Sequence, residues 1–224
     1  MAKQIDADPR WCWPSSGIIV GSSGTGKSSL LERICRYADD LYRKKPKEIF
    51  ICYCILQEGF IQLEREDPRV KLFHLFDHEE LRNLENHPDT LLILDDTIEF
   101  APEGYVKTLY TQWSHHFSVS CWTIYHNLYS KNIPDNRTIN INSQITILMS
   151  SLRSIDQVRS FACQCYTKNC PNFMALYKEV CLDKKFGYLI INFHPGYDNK
   201  LRLMTNFIPI EDKPPTVFDL SAPK

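Results

Sequence analysis

The chain has 224 residues, 43% of them hydrophobic and 12% aromatic, enough to bury a sizeable core, which excludes disorder as the dominant state. A formal net charge of −1 argues against a protein that coats nucleic acid by bulk charge. Apolar runs such as Leu91-Leu92-Ile93-Leu94 are far shorter than the ~20 residues that span a bilayer, and residues 1–10 lack the apolar core of a signal peptide, so no membrane partner and an intracellular setting are expected.

Residues 1–15 form a polar and aromatic entry segment. Gly17–Val20 then reads as a short buried strand, from its apolar run and β-branched content. From Lys27, the positions Leu30, Leu31, Ile34, Cys35, Ala38 and Leu41 recur at helical spacing. That helix ends near Arg43-Lys44-Lys45-Pro46-Lys47, where basic groups and a proline favour a C-terminus; a nuclear-localisation role is the alternative reading of this run. Strands are expected at 48–54, 70–73, 91–94, 119–125, 144–149, 187–193 and 201–207. Helical pieces are expected at 57–67, 78–86, 105–117, 156–166 and 172–182. Alternating strands and helices predict an α/β fold with a mainly parallel sheet flanked by helices. The expected division is an ATPase domain over 16–210 and a loosely ordered, Pro-rich tail over 211–224.

The nine cysteines read as reduced thiols. The tightest group, Cys163, Cys165 and Cys170 with Cys181 beyond, has no paired C-x-x-C zinc spacing.

Half of the eight glycines fall at positions 17, 21, 24 and 26. Gly21-Ser22-Ser23-Gly24-Thr25-Gly26-Lys27-Ser28 fits G-x-x-x-x-G-K-[ST] at every defined position, and Ser29 completes the candidate nucleotide-binding stretch. Between a strand and a helix, such a loop turns successive backbone N–H groups and a helix dipole toward phosphate. Lys27 would reach the β and γ phosphates of ATP, and the Ser28 hydroxyl would ligate Mg2+. The strand 91–94 runs into Asp95-Asp96. Asp95 is placed to hold the metal and Asp96 to polarise an attacking water. Two candidate strands lie between Lys27 and Asp95, which favours the division of nucleotide-binding folds in which another strand separates the loop strand from the acidic strand. The D-x-x-G and N-K-x-D elements of GTPases are missing from the sequence. Another strand ends at His126-Asn127, where His126 is the candidate sensor of the γ-phosphate and Asn127 the alternative. A small-molecule kinase and a nucleotide-gated interaction module without turnover are the competing classes.

The C-terminal half carries Asn136-Arg137-Thr138-Ile139-Asn140-Ile141-Asn142-Ser143, the apolar strand from Ile145, and Leu152-Arg153-Ser154-Ile155-Asp156-Gln157-Val158. This ordered set resembles the signature of the poxvirus-type genome-packaging ATPases of the FtsK/HerA superfamily, with relatives in large DNA viruses, virophages, adinto-like viruses and Polintons. The resemblance spans roughly residues 16–209. It implies a RecA-like P-loop motor that threads double-stranded DNA into a capsid, acts with a capsid or portal protein, and works as a ring-forming homo-oligomer. In a viral setting it also implies location in the host nucleus or at an assembly site, with virion association. It further implies an arginine donated to the neighbouring subunit's site, with Arg153 the first candidate, then Arg137 and Arg69. The sequence departs from the family pattern in having His126-Asn127 in place of Gln-Asn, and Arg153-Ser154 in place of Arg-Asp. Lys131, Lys168, Lys184, Lys185, Lys200 and Arg202 are available to grip a phosphate backbone.

Overall fold

The computed structural model describes residues 8–130, 133, 135–209 and 213–220. Among them are strands β1 (Gly17–Val20), β2 (Glu48–Tyr53), β3 (Val70–His74), β4 (Thr90–Asp95), β5 (Ser120–Tyr125), β6 (Ile145–Met149), β7 (Tyr188–Asn192), β8 (Leu203–Thr205) and β9 (Thr216–Val217). They make one sheet in the order β3-β2-β4-β5-β1-β6-β7-β8-β9. Every pairing from β3 to β6 is parallel, and the pairings from β6 to β9 are antiparallel.

Successive residues of the inner strands enter opposite cores, and both faces are covered, which explains their unbroken apolar runs. Ile18, Phe50, Leu92 and Leu94 pack on one face, while Ile19, Ile49, Ile51, Leu91 and Ile93 pack on the other. The second face is covered by α1 (Lys27–Arg36) and α2 (Ala38–Leu41), through Leu30, Leu31, Ile34, Cys35 and Leu41, with α3 (Glu58–Glu66) beside them.

The first face is covered by a chain of short helices. These are α4 (Glu79–Arg82), α5 (Tyr105–Thr108), α6 (Ser114–His116), α7 (Asn136–Asn142), α8 (Ile155–Tyr166) and α9 (Cys170–Tyr177). A π-helical turn, Leu109–Trp113, joins α5 to α6, and another, Lys178–Leu182, extends α9. The helical pieces expected at 105–117 and 172–182 are therefore each interrupted, and α7 is a helix that hydrophobic periodicity does not mark.

Trp11 of the entry segment is fully buried and packs against Tyr42, Trp122 and Phe207. Its backbone N–H donates to Leu41 O at 2.7 Å, and its carbonyl accepts from Arg43 N at 2.9 Å. The segment after residue 210, expected to be loosely ordered, contributes β9, whose Val217 and Thr216 pair with Met204 and Thr205. The basic run is tied into the fold: Lys44 and Lys47 both pair with the buried Asp89, and Lys45 pairs with Asp39.

Candidate nucleotide site

The glycine-rich loop leaves β1 at the centre of the sheet and is fastened at once to the strands on both sides. Gly21 N donates to Tyr125 O at 3.1 Å, at the end of β5, and Ser22 N donates to Ser150 O at 3.0 Å, just past β6. The Thr25 hydroxyl donates to Ser22 O at 2.8 Å and closes the loop on itself. Gly24 and Gly26 have φ of 76° and 91°, the left-handed region that L side chains avoid. Gly26 is the N-cap of α1, with no side-chain cap bond and no acidic residue in the first turn. The first backbone N–H groups of α1 are therefore left without a capping side chain from the helix itself, and the carboxylate that reaches this first turn, Asp95 on Ser28, comes from β4.

Lys27 is nearly fully buried. Its ammonium donates to Gly21 O at 2.9 Å and Ser22 O at 3.0 Å, so it lies along the inside of the loop. Burial pushes its pKa down, and the charges of Asp96 and Asp95 oppose that. One residue on, Ser28 Oγ donates to Asp95 Oδ1 at 2.8 Å. Asp95 is 2% exposed and also accepts from Gln57 Nε2 through Oδ2 at 2.9 Å. Its pKa is raised to about 6, chiefly by burial and further by the Asp96 charge, against the opposing effects of Ser28, Lys27 and Gln57. A buried carboxylate beside a serine hydroxyl is a hard oxygen pair suited to a magnesium ion.

Asp96 leaves the sheet at a φ of 53°, which turns its half-exposed carboxylate away from the strand. His126 bridges it to Lys27. His126 Nδ1 lies 3.3 Å from Lys27 Nζ, and Nε2 lies 3.6 Å from Asp96 Oδ1. An ammonium can only donate, so Nδ1 accepts and the ring proton falls on Nε2, facing Asp96. Asn127 is turned elsewhere, its Oδ1 accepting from Ser154 Oγ at 2.6 Å.

Arg153 is exposed on the turn between β6 and α8. That turn is held against the site by Ser151, whose Oγ lies 3.3 Å from Ser22 Oγ, and by Ser154. Arg137 is exposed on α7. Arg69 is committed elsewhere, its guanidinium bound to Asp67, Asp39 and the Pro46 carbonyl. Lys131 lies outside the described residues. The remaining candidate DNA-gripping cations divide between the two edges of the sheet: Lys184 and Lys185 precede β7 at the loop edge, Lys200 and Arg202 follow it at the opposite edge, and Lys168 lies just past the end of α8, whose last residue, Tyr166, is within reach of the Arg202 charge. Arg202 binds Asn199 Oδ1 and the Asn192 carbonyl. All nine cysteines are free thiols.

The sheet order settles the architecture. β5 lies between the loop strand β1 and the acidic strand β4, so the separating strand comes from later in the chain than the two that precede Asp95 in sequence. The chain has a RecA-like P-loop ATPase fold. The likeness extends to the genome packaging NTPase B204 from Sulfolobus turreted icosahedral virus 2, solved in complex with ATP-gammaS. The two are 12% identical with a TM-score of 0.52, over 82% of this chain and 94% of that one. A weaker likeness joins it to the KaiC-like protein PH0186 of Pyrococcus horikoshii OT3, at 13% identity and TM-score 0.42 over 62% of this chain and 72% of that one. The ATPase EscN of the enteropathogenic E. coli type III secretion system gives 13% and 0.40 over 83% of this chain and 58% of that one. No protein-family model matches the chain, and no curated protein does.

Gln57 was not expected at this site. It precedes α3 in a charged stretch, and nothing local in the sequence marks it as a partner of Asp95. Ser151 likewise reaches the loop only once β1 and β6 are side by side.

Proposed function

We propose that this protein is an ATP-hydrolysing motor that moves double-stranded DNA into a capsid as a ring of identical subunits, at an intracellular site of virion assembly. The observation that carries the ATPase part is the Ser28–Asp95 contact, which joins the phosphate loop to the acidic strand. The uncapped α1 N-terminus and this oxygen pair fit a magnesium-bound triphosphate. ATP would lie along Gly21, Ser22, Ser23, Gly24, Thr25, Gly26 and Lys27, with Ser28 and Asp95 holding Mg2+ and Ser29 behind them. The bound metal would offset phosphate charge.

Asp96 is the general base for the attacking water, and His126 orients it and reads the γ-phosphate end through its contacts to Lys27 and Asp96. Arg153, exposed beside the loop, reaches a neighbouring subunit's phosphates. DNA packaging is supported by the ordered motif set from Gly21 to Val158 and by the likeness to B204, a viral genome packaging NTPase.

The test is product analysis with purified oligomer and Mg·ATP. Free phosphate is the expected product, lost in Lys27→Ala. Phosphate transferred to an acceptor would identify a kinase, and tight binding without turnover would identify a gated interaction module; either result overturns the motor reading.

A further inference from the structure

The sheet order fixes which way a nucleotide must run. Asp95, Asp96 and His126 sit at the ends of β4 and β5, on one side of β1, and β6 and β7 occupy the other side. With the γ-phosphate end held toward Asp96 and His126, the nucleoside end leaves over β6 and β7. There a cavity of about 320 Å³ opens beside the loop, lined by Gly24, Thr25, Ser150, Leu182, Lys184 and Phe186 among others. That volume lies within the ~300–1,000 Å³ range of small-molecule pockets.

Phe186 is the aromatic ring in this lining, and it is 49% exposed. The turn that presents it is tightly determined. Phe186 has a φ of 58°, uncommon for a bulky side chain and maintained only where the surroundings over-determine it. The following Gly187 lies so close to the Val180 carbonyl that a Cβ there would come within 1.8 Å of its oxygen. The ring reaches Gly26, where an added Cβ would stand 3.3 Å from Phe186 Cδ1. Lys185 Nζ lies 5.1 Å from the ring centroid, so an exposed cation now rests on the π-face.

We infer that Phe186 is the stacking platform for the nucleobase, with the base taking the position of the Lys185 ammonium over the ring. Lys184 and Lys185 then flank the sugar and the nearest phosphate. This assignment rests on reading Gly21–Ser28 as a triphosphate site. The lining supplies a π-face, the exposed cations Lys184 and Lys185, and the polar side chains of Ser150 and Asp183, while its Thr25 hydroxyl is already spent on Ser22 O. Among the described residues, Phe186 is the one aromatic surface in this lining on which a base can stack.

The experiment is calorimetric titration of the full chain with Mg·ATP and, separately, with Mg·tripolyphosphate, which has no base. Phe186→Asn removes the ring while keeping a residue that tolerates a positive φ, and Phe186→Trp enlarges the ring. Stacking energies of this kind correspond to a loss of roughly tenfold to a hundredfold. Phe186→Asn should weaken ATP by that factor and leave tripolyphosphate unchanged. Phe186→Trp should retain ATP binding, with an indole emission change on adding ATP but not tripolyphosphate. Unchanged ATP affinity in Phe186→Asn, or equal losses for both ligands, would overturn the assignment while leaving the triphosphate site standing. If the wild-type chain binds neither ligand, the triphosphate reading itself fails, and the platform with it.

Discussion

Ser28 Oγ donates to Asp95 Oδ1 across 2.8 Å, joining residues 67 positions apart in the chain. One group lies in the first turn of α1 and the other ends β4, so the contact exists only because parallel pairing through β5 sets β1 and β4 two places apart in the sheet. Gln57 holds the second carboxylate oxygen, which leaves Asp95 oriented without freezing it into an ion pair.

The raised pKa of Asp95, about 6 from an ordinary 3.8, sets a pH dependence. Burial disfavours the ionised form, so the folded chain keeps this proton where the unfolded chain has lost it. Stability from this group is therefore lost as pH rises from about 4 to about 6, by up to about 3 kcal/mol above that window. In denaturant titrations without divalent metal at pH 8, Asp95→Asn should be more stable than wild type by about 1–3 kcal/mol. Nucleotide-dependent Mg2+ binding should weaken as pH falls through about 6, and this sensitivity should vanish in the variant. A variant less stable than wild type at pH 8 would contradict a carboxylate whose burial outweighs its hydrogen bonds to Ser28 and Gln57.

His126 touches Lys27 and faces Asp96, yet its ring is half exposed, so its loss should be felt in catalysis more than in folding. We expect His126→Ala to lower kcat by about 10²-fold while nucleotide affinity changes only a few-fold. Equal losses in both would make His126 a binding group.

Arg153 makes no hydrogen bond or ion pair among the described residues, while the serines on both sides of it anchor its turn to the site. If it acts across a subunit boundary, Arg153→Ala should lower turnover by about 10³-fold with ATP binding intact. Mixing it with Lys27→Ala subunits should restore activity at the boundaries that pair an intact loop with an intact arginine. Mixtures as inactive as their components would place the trans arginine elsewhere, with Arg137 next.

Gly17 is required for packing against Trp122 and not for backbone freedom. A Cβ there would lie 2.4 Å from the fully buried Trp122 ring, which is further fixed by its N–H to Tyr42 Oη. Gly17→Ala should cost about 1–3 kcal/mol, visible as a lower Tm in calorimetry, with Gly24 and Gly26 and their positive φ values undisturbed.

The strand, loop and α1 were legible in sequence because their signals are local: an apolar run, a fixed spacing of small residues, then a 3.6-residue period. β4 was legible because burial on both faces leaves no alternation to misread. α7 was not, because Asn136, Thr138, Asn140 and Asn142 are weak helix formers and only Ile139 among its apolar positions is buried. Gln57, Ser151 and Phe186 reach the site through parallel pairings and a tight turn before β7, relationships that no window of the sequence contains. The basic run at 43–47 shows the reverse: conspicuous in sequence, it is occupied in the fold by Asp8, Asp39 and Asp89.

The central claim, a DNA-driven motor, is tested most directly by ATP turnover of the oligomer with and without double-stranded DNA. Turnover should rise several-fold or more with DNA, fall steeply as salt increases because phosphate contacts release counterions, and vanish in Lys27→Ala. Turnover indifferent to DNA at every salt concentration, or unaffected by Lys27→Ala, would contradict it.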